Sequence, residues 1–391
     1  MKGRRSRILA LVVGASLVLL AAAGTAGSAS KQRGDVWLAE ISPLTGPLSF
    51  VGVDNRQGVD VAVREINRRG GINGRRLRVQ VFDDGSNPSQ AVSHMNRIAD
   101  DGKFLGVIGS GFSSSGLAVA SIVERERIPY ISMASSAAQV TPAKPYYFMT
   151  TATSRLFAYS LAFQLRRAGI RRIALMADNG GFGREGVRNV DELARRFGFQ
   201  IVERIIFPLT STTFQAELSR VKNSRAQALW LWNATTLAVT ITKEARQLRL
   251  PQRIVLTGGN ASPLYLRPAC PQNANALINS YLGPVARFLP RRNPSRAIAL
   301  RVDRALRKQG STFNYDGYTG VSMFRAAMLR GGFSRSGINN GLENRMRGFV
   351  GPGGRYYYSR QNHSGLGLKS MVVSKISRCR MIPVENLKRR F

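Results

Sequence analysis

The stretch that decides the fold is FLGVIGSGFSSSGLAVASIVERERIPYISMA, residues 104–134. It opens with an apolar run, Phe104–Gly109, and passes through a loop carrying Ser113, Ser114 and Ser115. A helical pattern follows from Gly116, and a second apolar run, Ile128–Ala134, closes it. Short apolar runs bounded by glycine read as buried strands, and strand, helix and strand at this spacing form a βαβ unit, the building block of a parallel sheet.

The same alternation extends in both directions. VWLAEIS (36–42) and LRVQVFDD (77–84) are strands. Between them Val59, Ala62, Val63 and Ile66 share one helical face, and Gly70-Gly71 supplies a left-handed stop. Asn87 followed by Pro88 is a helix start. The pattern restarts after YYFMTTATS (146–154), with RRIALMA, QIVERIIF, ALWLWN and RIVLTGG as strands separated by helices. YDGYTGVSMFRAAMLRGG (315–332) is a late amphipathic helix, and residues 354–376 read as two strands with a turn. The fold class is therefore α/β, with parallel sheets flanked by helices in two units.

Length and composition agree. A chain of 391 residues, 43% hydrophobic and 20% charged, suits two globular units. Its start differs: basic MKGRRSR, an apolar stretch, then small residues up to Ala29 form a signal peptide over 1–29. No cysteine stands near its end, so no lipid anchor is expected, and no other segment could span a bilayer. The protein is thus expected to be exported. The formal net charge is +36, of which Lys2, Arg4, Arg5 and Arg7 belong to the signal. The remaining basic residues are scattered over helix faces with no tail or aromatic RNA-binding motif, so a solvated surface is expected rather than a nucleic-acid partner. Two cysteines, Cys270 and Cys379, suit neither a metal site nor a redox motif, and in an oxidising compartment are expected to pair.

Catalysis finds little support. A phosphate loop needs Lys and Ser or Thr after its second glycine, and the dinucleotide fingerprint that starts at Gly109 and Gly111 meets Ser114 where a third glycine should stand. None of the three serines has the flanking glycines of a nucleophile elbow. A base is also lacking: His94 lies in a helix and His363 in the polar turn SRQNHSG. No enzyme activity, metal or cofactor is expected, and Asp83-Asp84 reads as structural. What remains is two adjacent strands, each ending in a serine-bearing loop, the second in SMASSAA with Ser135 and Ser136. Ligands bind at that end of open α/β sheets, and hydroxyls with free N–H groups suit an anion.

With those loops in place the chain resembles the periplasmic substrate-binding proteins of branched-chain amino acid ABC transporters. The motifs are SPLTGPLSFVG, GVDVAVREINRRGGINGRRLRVQVFDDGSNPSQAV, VIGSGFSSSGLAVA, RIPYISMASSA and YDGYTGVSMFRAAM, in family order over nearly the whole mature chain. The resemblance implies a type I periplasmic-binding fold: two Rossmann-like lobes joined by three crossovers and closing on a small ligand. Lobe one is placed at 35–149 with 282–350, lobe two at 150–281 with 351–391. It also implies that Ser113, Ser114, Ser135 and Ser136 receive the ligand carboxylate. In lobe two, Phe182 stands where the family carries a tyrosine, and Gly259 and Asn260 where it carries the acid that pairs the ligand ammonium. Phe50, Trp232 and Asn233 are expected to line the cleft. With that acid replaced, an acid with an apolar or aromatic body is expected rather than a standard branched-chain amino acid. The implied partner is an inner-membrane ABC permease serving a monomeric receptor; the alternative is the same fold delivering its ligand to a membrane sensor.

Overall fold

Val36–Ser42 (β1) takes a parallel neighbour on each side, Leu77–Asp83 (β2) and Phe104–Gly109 (β3). Tyr130–Ser132 (β4) and Tyr147–Met149 (β5) extend this first sheet in the order β2-β1-β3-β4-β5, parallel throughout. The computed structural model describes residues 34–234 and 236–391. The signal peptide expected at 1–29 lies outside the described residues.

Helices cover both faces of the sheet, and the strands alternate between them as period-two side chains must. Ala39, Tyr130 and Tyr147 face Pro88–Asp100 (α2) and Ser113–Arg125 (α3). Leu38, Ile131 and Phe148 face the opposite layer, which contains Ser49–Arg68 (α1). Local signals act as the sequence predicts. Gly70 and Gly71 adopt φ of 85° and 75°, and the Asn87 side chain accepts from Ser89 N with Pro88 in the first turn. One boundary differs: α3 begins at Ser113, three residues before Gly116, so the serines form its first turn.

The second sheet holds Arg172–Asp178 (β6), Gln200–Phe207 (β7), Ala228–Trp232 (β8), Arg253–Leu256 (β9) and Leu277–Ser280 (β10), all parallel. Phe349–Gly351 (β11) and Gly354–Tyr356 (β12) form a separate ribbon. Val372–Ser377 (β13) then joins β10 antiparallel, followed by Arg380–Pro383 (β14), which gives the order β14-β13-β10-β9-β8-β6-β7. Ser154–Arg167 (α4), Gly181–Phe197 (α5), Gln215–Asn223 (α6) and Leu237–Gln247 (α7) accompany this sheet, with the single turn Pro263–Leu266 (α8). Pro294–Leu306 (α9), Thr312–Gly331 (α10) and Arg335–Arg345 (α11) follow β10, and Leu387–Arg390 (α12) ends the chain.

The chain passes between the sheets three times, after Met149, after Ser280 and after the β11–β12 ribbon, and buried tyrosines join these passages. Tyr356 and Tyr358 donate to the carbonyls of Thr150 (2.6 Å) and Met149 (2.5 Å), and Tyr281 donates to Thr312 O (2.5 Å). His363, expected in a polar turn, is buried instead: its ring stacks on Phe148 at 4.2 Å and its Nδ1 meets Tyr147 O at 3.0 Å.

Helix α10 lies along α1 at backbone contact. A Cβ on Gly58 would stand 1.9 Å from Asn314 O, and one on Gly317 2.1 Å from Asn55 O. Gly58→Ala is expected to lower stability by at least the roughly 1–3 kcal/mol of core overpacking, because the obstructing atom is backbone; urea denaturation checks it. Cys270 and Cys379 form a disulfide with Cα atoms 5.6 Å apart, closing the chain across 109 residues. Thiol titration of the unreduced, unfolded protein should find no reactive thiol among them. Reduction should lower the unfolding midpoint by an amount equivalent to about 2–5 kcal/mol.

Candidate functional site

Loops at the carboxyl ends of strands from both sheets line one small cavity. Gly111 and Ser113 follow β3, Met133 and Ser135 follow β4, and Thr151 follows β5. From the other sheet, Asp178 and Gly180 come at the end of β6, and Ala234, Gly258 and Gly259 follow β8 and β9. The cavity, about 50 Å³ measured to the centres of the waters that would fill it, therefore sits where open α/β sheets bind ligands. Its walls are mostly apolar, from Leu48, Phe112, Phe157, Phe182, Leu209 and Phe313.

The polar groups are few and unequal. Phe112 precedes α3 and offers no side-chain cap. The first-turn N–H groups, which no intrahelical carbonyl reaches, thus stand at the wall beside the Ser113 hydroxyl. Opposite, the amino end of α5 is already served: Asp178 Oδ1 accepts from Gly180 N at 2.9 Å. One helix end is open to an anion and the other carries its own.

The loops of the two sheets also touch directly. Ser114 Oγ accepts from Gly181 N at 3.0 Å. Glu185, on α5 and 6% exposed, reaches across to accept from Ser136 Oγ and from Ala137 N (2.8 Å), while Ser154 Oγ supplies a further donor.

The expected site residues therefore separate. Ser113, Ser135, Phe182 and Gly259 line the cavity. Ser114 instead binds the facing loop, and Ser136 is turned onto Glu185, a carboxylate of the protein itself. Phe50 does not border the cavity but packs edge-on against Phe313, which does. Trp232 is fully buried behind Phe182, with its Nε1 donating to Phe182 O at 3.0 Å. Asn233 and Asn260 are buried and hydrogen-bonded to each other, Asn260 Nδ2 to Asn233 O at 2.8 Å, so they brace the loops after β8 and β9. Asp83 accepts from Leu44 N, Thr45 and Gly85 N, the structural role expected of it.

The sequence shows no acid at the Gly259 and Asn260 position and leaves Glu185 as the acid that could reach the cleft. Glu185 does not line the cavity; two other carboxyl groups do, Asp178 and Asp316, and the described lining residues include no lysine, arginine or histidine. Burial raises both: Asp178 to about 6, against hydrogen bonds from Gly180 and Gly183 and the Arg184 charge, and Asp316 well above the usual carboxylate range. Asp178, directly after the run RRIALMA (171–177), was open to notice as a strand-end residue, though the sequence reading passed over it. Asp316 was not, since it stands inside a helix pattern.

Two α/β units meeting over a cavity at their strand ends define a two-lobed solute-binding protein. The chain belongs to the periplasmic binding protein family, whose profile matches residues 36–377. It is 22% identical over 316 residues to the Leu/Ile/Val-binding protein homolog 3 of Brucella melitensis, covering 80% of this chain and 84% of that one. A Rhodopseudomonas palustris ABC transporter solute-binding protein in complex with benzoate superimposes with a TM-score of 0.80 at 16% identity, over 91% of this chain and 97% of the other. The branched-chain amino acid transporter substrate-binding protein of Streptococcus pneumoniae in complex with isoleucine does so with 0.77 at 20% identity, over 89% and 97%. The fold is that of type I periplasmic binding proteins. No helix among the described residues is long and apolar enough to cross a membrane.

The raised Asp178 has a measurable consequence. Its folded-state value of about 6 exceeds the ordinary 3.8, so its contribution to stability is present at low pH and falls as pH rises through 6. Asp178→Asn removes that dependence. Between pH 4 and 7 the stability of wild type relative to Asp178→Asn should fall by about 2 kcal/mol, read from denaturation midpoints at each pH. A flat difference would contradict the burial argument.

Proposed function

We propose that this chain is the extracytoplasmic receptor of an ABC importer, holding a small carboxylate-bearing solute between lobe one (35–149 with 282–350) and lobe two (150–281 with 351–391) and presenting it to a membrane permease after signal-peptide removal in the periplasm. The observation that carries this reading is the uncapped amino end of α3, with Ser113 and Ser135 beside it, opening into an apolar cavity between the two sheets. Those N–H groups and hydroxyls suit a carboxylate, and the aromatic walls suit an apolar body. Relatives of this fold that hold isoleucine and benzoate support a ligand of that size and charge. Binding draws the lobes together as a population shift, because the ligand contacts both walls only when they are close. No chemical step is assigned to the site.

A thermal-shift screen of the secreted protein against amino acids and small aromatic and aliphatic acids tests this. At least one should raise the unfolding midpoint in a concentration-dependent way. Ser113→Ala should weaken that compound by roughly 1–3 kcal/mol. Ser136→Ala should instead lower the stability of the unliganded protein, since its partner is Glu185. No response to the whole panel, or a Ser113→Ala variant with unchanged affinity, would contradict the proposal.

A further inference from the structure

A groove of about 350 Å³ lies between α8, the turn that joins β13 to β14, and the segment Gly283–Phe288 after the second passage. None of its residues borders the solute cavity. Arg267, Arg287, Arg378 and Arg380 line it, and no carboxylate does. All four are exposed, and among the described residues none of them forms an ion pair. Asp303 senses the Arg287 charge but does not line the groove; its Oδ1 accepts from the Tyr315 hydroxyl at 2.6 Å and from Gly310 N at 2.8 Å. The groove between the end of α1 and α9 is also rich in arginine, yet it carries its own acid: Glu65 pairs with Arg69 at 2.8 Å and with Arg301 at 3.3 Å.

These arginines are held together by the structure against their mutual repulsion. Cys270 lies three residues after Arg267, and Cys379 lies between Arg378 and Arg380, so the disulfide ties together two segments of like charge. Gln309 Oε1 accepts from Arg287 Nη2 at 2.7 Å while its Nε2 donates to Pro284 O at 2.9 Å, which anchors that guanidinium. Ser377 pairs with Arg380 across a two-residue turn whose residues, Arg378 and Cys379, both stand at positive φ, 47° and 60°. Turns of that shape favour asparagine and glycine. Arginine and cysteine stand there against backbone preference, a feature of ligand clamps. Guanidinium groups take phosphate-type oxyanions through paired N–H bonds, and several of them without an acid favour an anion of more than one charge. We propose that this groove is a second binding site, for a compact phosphate-type anion with two or more charges, either free or as a lipid headgroup. It stands apart from the solute cavity and does not rest on the reading of that cavity. Because the groove is open to water, binding there weakens as salt rises.

Two measurements on the full mature protein in low-salt, phosphate-free buffer test this and separate the two sources. Calorimetry with pyrophosphate reads the free anion, and co-sedimentation with cardiolipin-containing vesicles, against phosphatidylcholine alone, reads the headgroup. At least one should bind, and the double variant Arg267→Gln with Arg378→Gln should bind it about tenfold more weakly or worse, as the loss of two charge-assisted contacts requires. The double variant Arg64→Gln with Arg68→Gln removes the same charge from exposed positions of α1 and should stay within about threefold of wild type. Pyrophosphate binding with that pattern assigns the free anion, and vesicle binding without it assigns the headgroup. No binding of either, or an equal loss in the two double variants, would overturn the proposal. Should the first double variant fail to fold, Arg287→Gln replaces it: it should lose about threefold or more, and a loss matched by Arg64→Gln refutes the assignment.

Discussion

The donation of buried tyrosine hydroxyls to main-chain carbonyls across the three inter-sheet passages holds the whole arrangement together. Tyr356 and Tyr358 leave the last passage and bind carbonyls of the first, and Tyr281 ties the second to the start of α10. These carbonyls lie where water cannot replace a lost donor. Each truncation would leave a buried acceptor unpaired, a penalty of about 1–3 kcal/mol. The passages are thereby fixed against one another and against α10, and through the backbone contact at Gly58 and Gly317 α10 is fixed against α1. The loops at the carboxyl ends of strands from both sheets line the same cavity.

The contacts across the mouth are of another kind. Ser114 to Gly181 is one hydrogen bond between a hydroxyl and a backbone amide. Glu185 adds donors from Ser136 and Ala137, and it is itself anchored on its own side by Ser154. A net hydrogen bond contributes on the order of 1 kcal/mol, somewhat more when a charge takes part. Two or three such bonds bias the lobes toward closure without locking them, which leaves a bound solute able to shift the balance. Glu185 also changes what the serine loop can do. By filling Ser136 and Ala137 it confines the free anion-binding groups to the side of Ser113 and Ser135.

Much of this was legible in the sequence because it is local. The apolar runs, the Asn87-Pro88 start, the Gly70-Gly71 stop and the serine loops after β3 and β4 each depend on a few neighbouring residues, and the parallel α/β reading followed from their order. The departures are nonlocal. Ser135 and Ser136 are adjacent yet face opposite ways, and only the approach of α5 shows which of them meets Glu185. Phe50 and Trp232 lie one layer behind the wall, a distinction no hydropathy pattern carries. His363 reads as a turn residue until Phe148, over two hundred positions earlier, is seen beneath it. Asp316 was hidden for the same reason: its neighbours come from residues 150, 151 and 281, and within its own helix it looks like an ordinary polar position.

The central claim is that a solute held between the strand ends draws the two lobes together. Small-angle X-ray scattering of the mature protein, alone and with a saturating amount of a compound that stabilises wild type but not Ser113→Ala, measures this directly. The account expects the radius of gyration to fall on adding the compound, with no such change for Ser113→Ala. Superimposable profiles for wild type with and without the bound compound would contradict it.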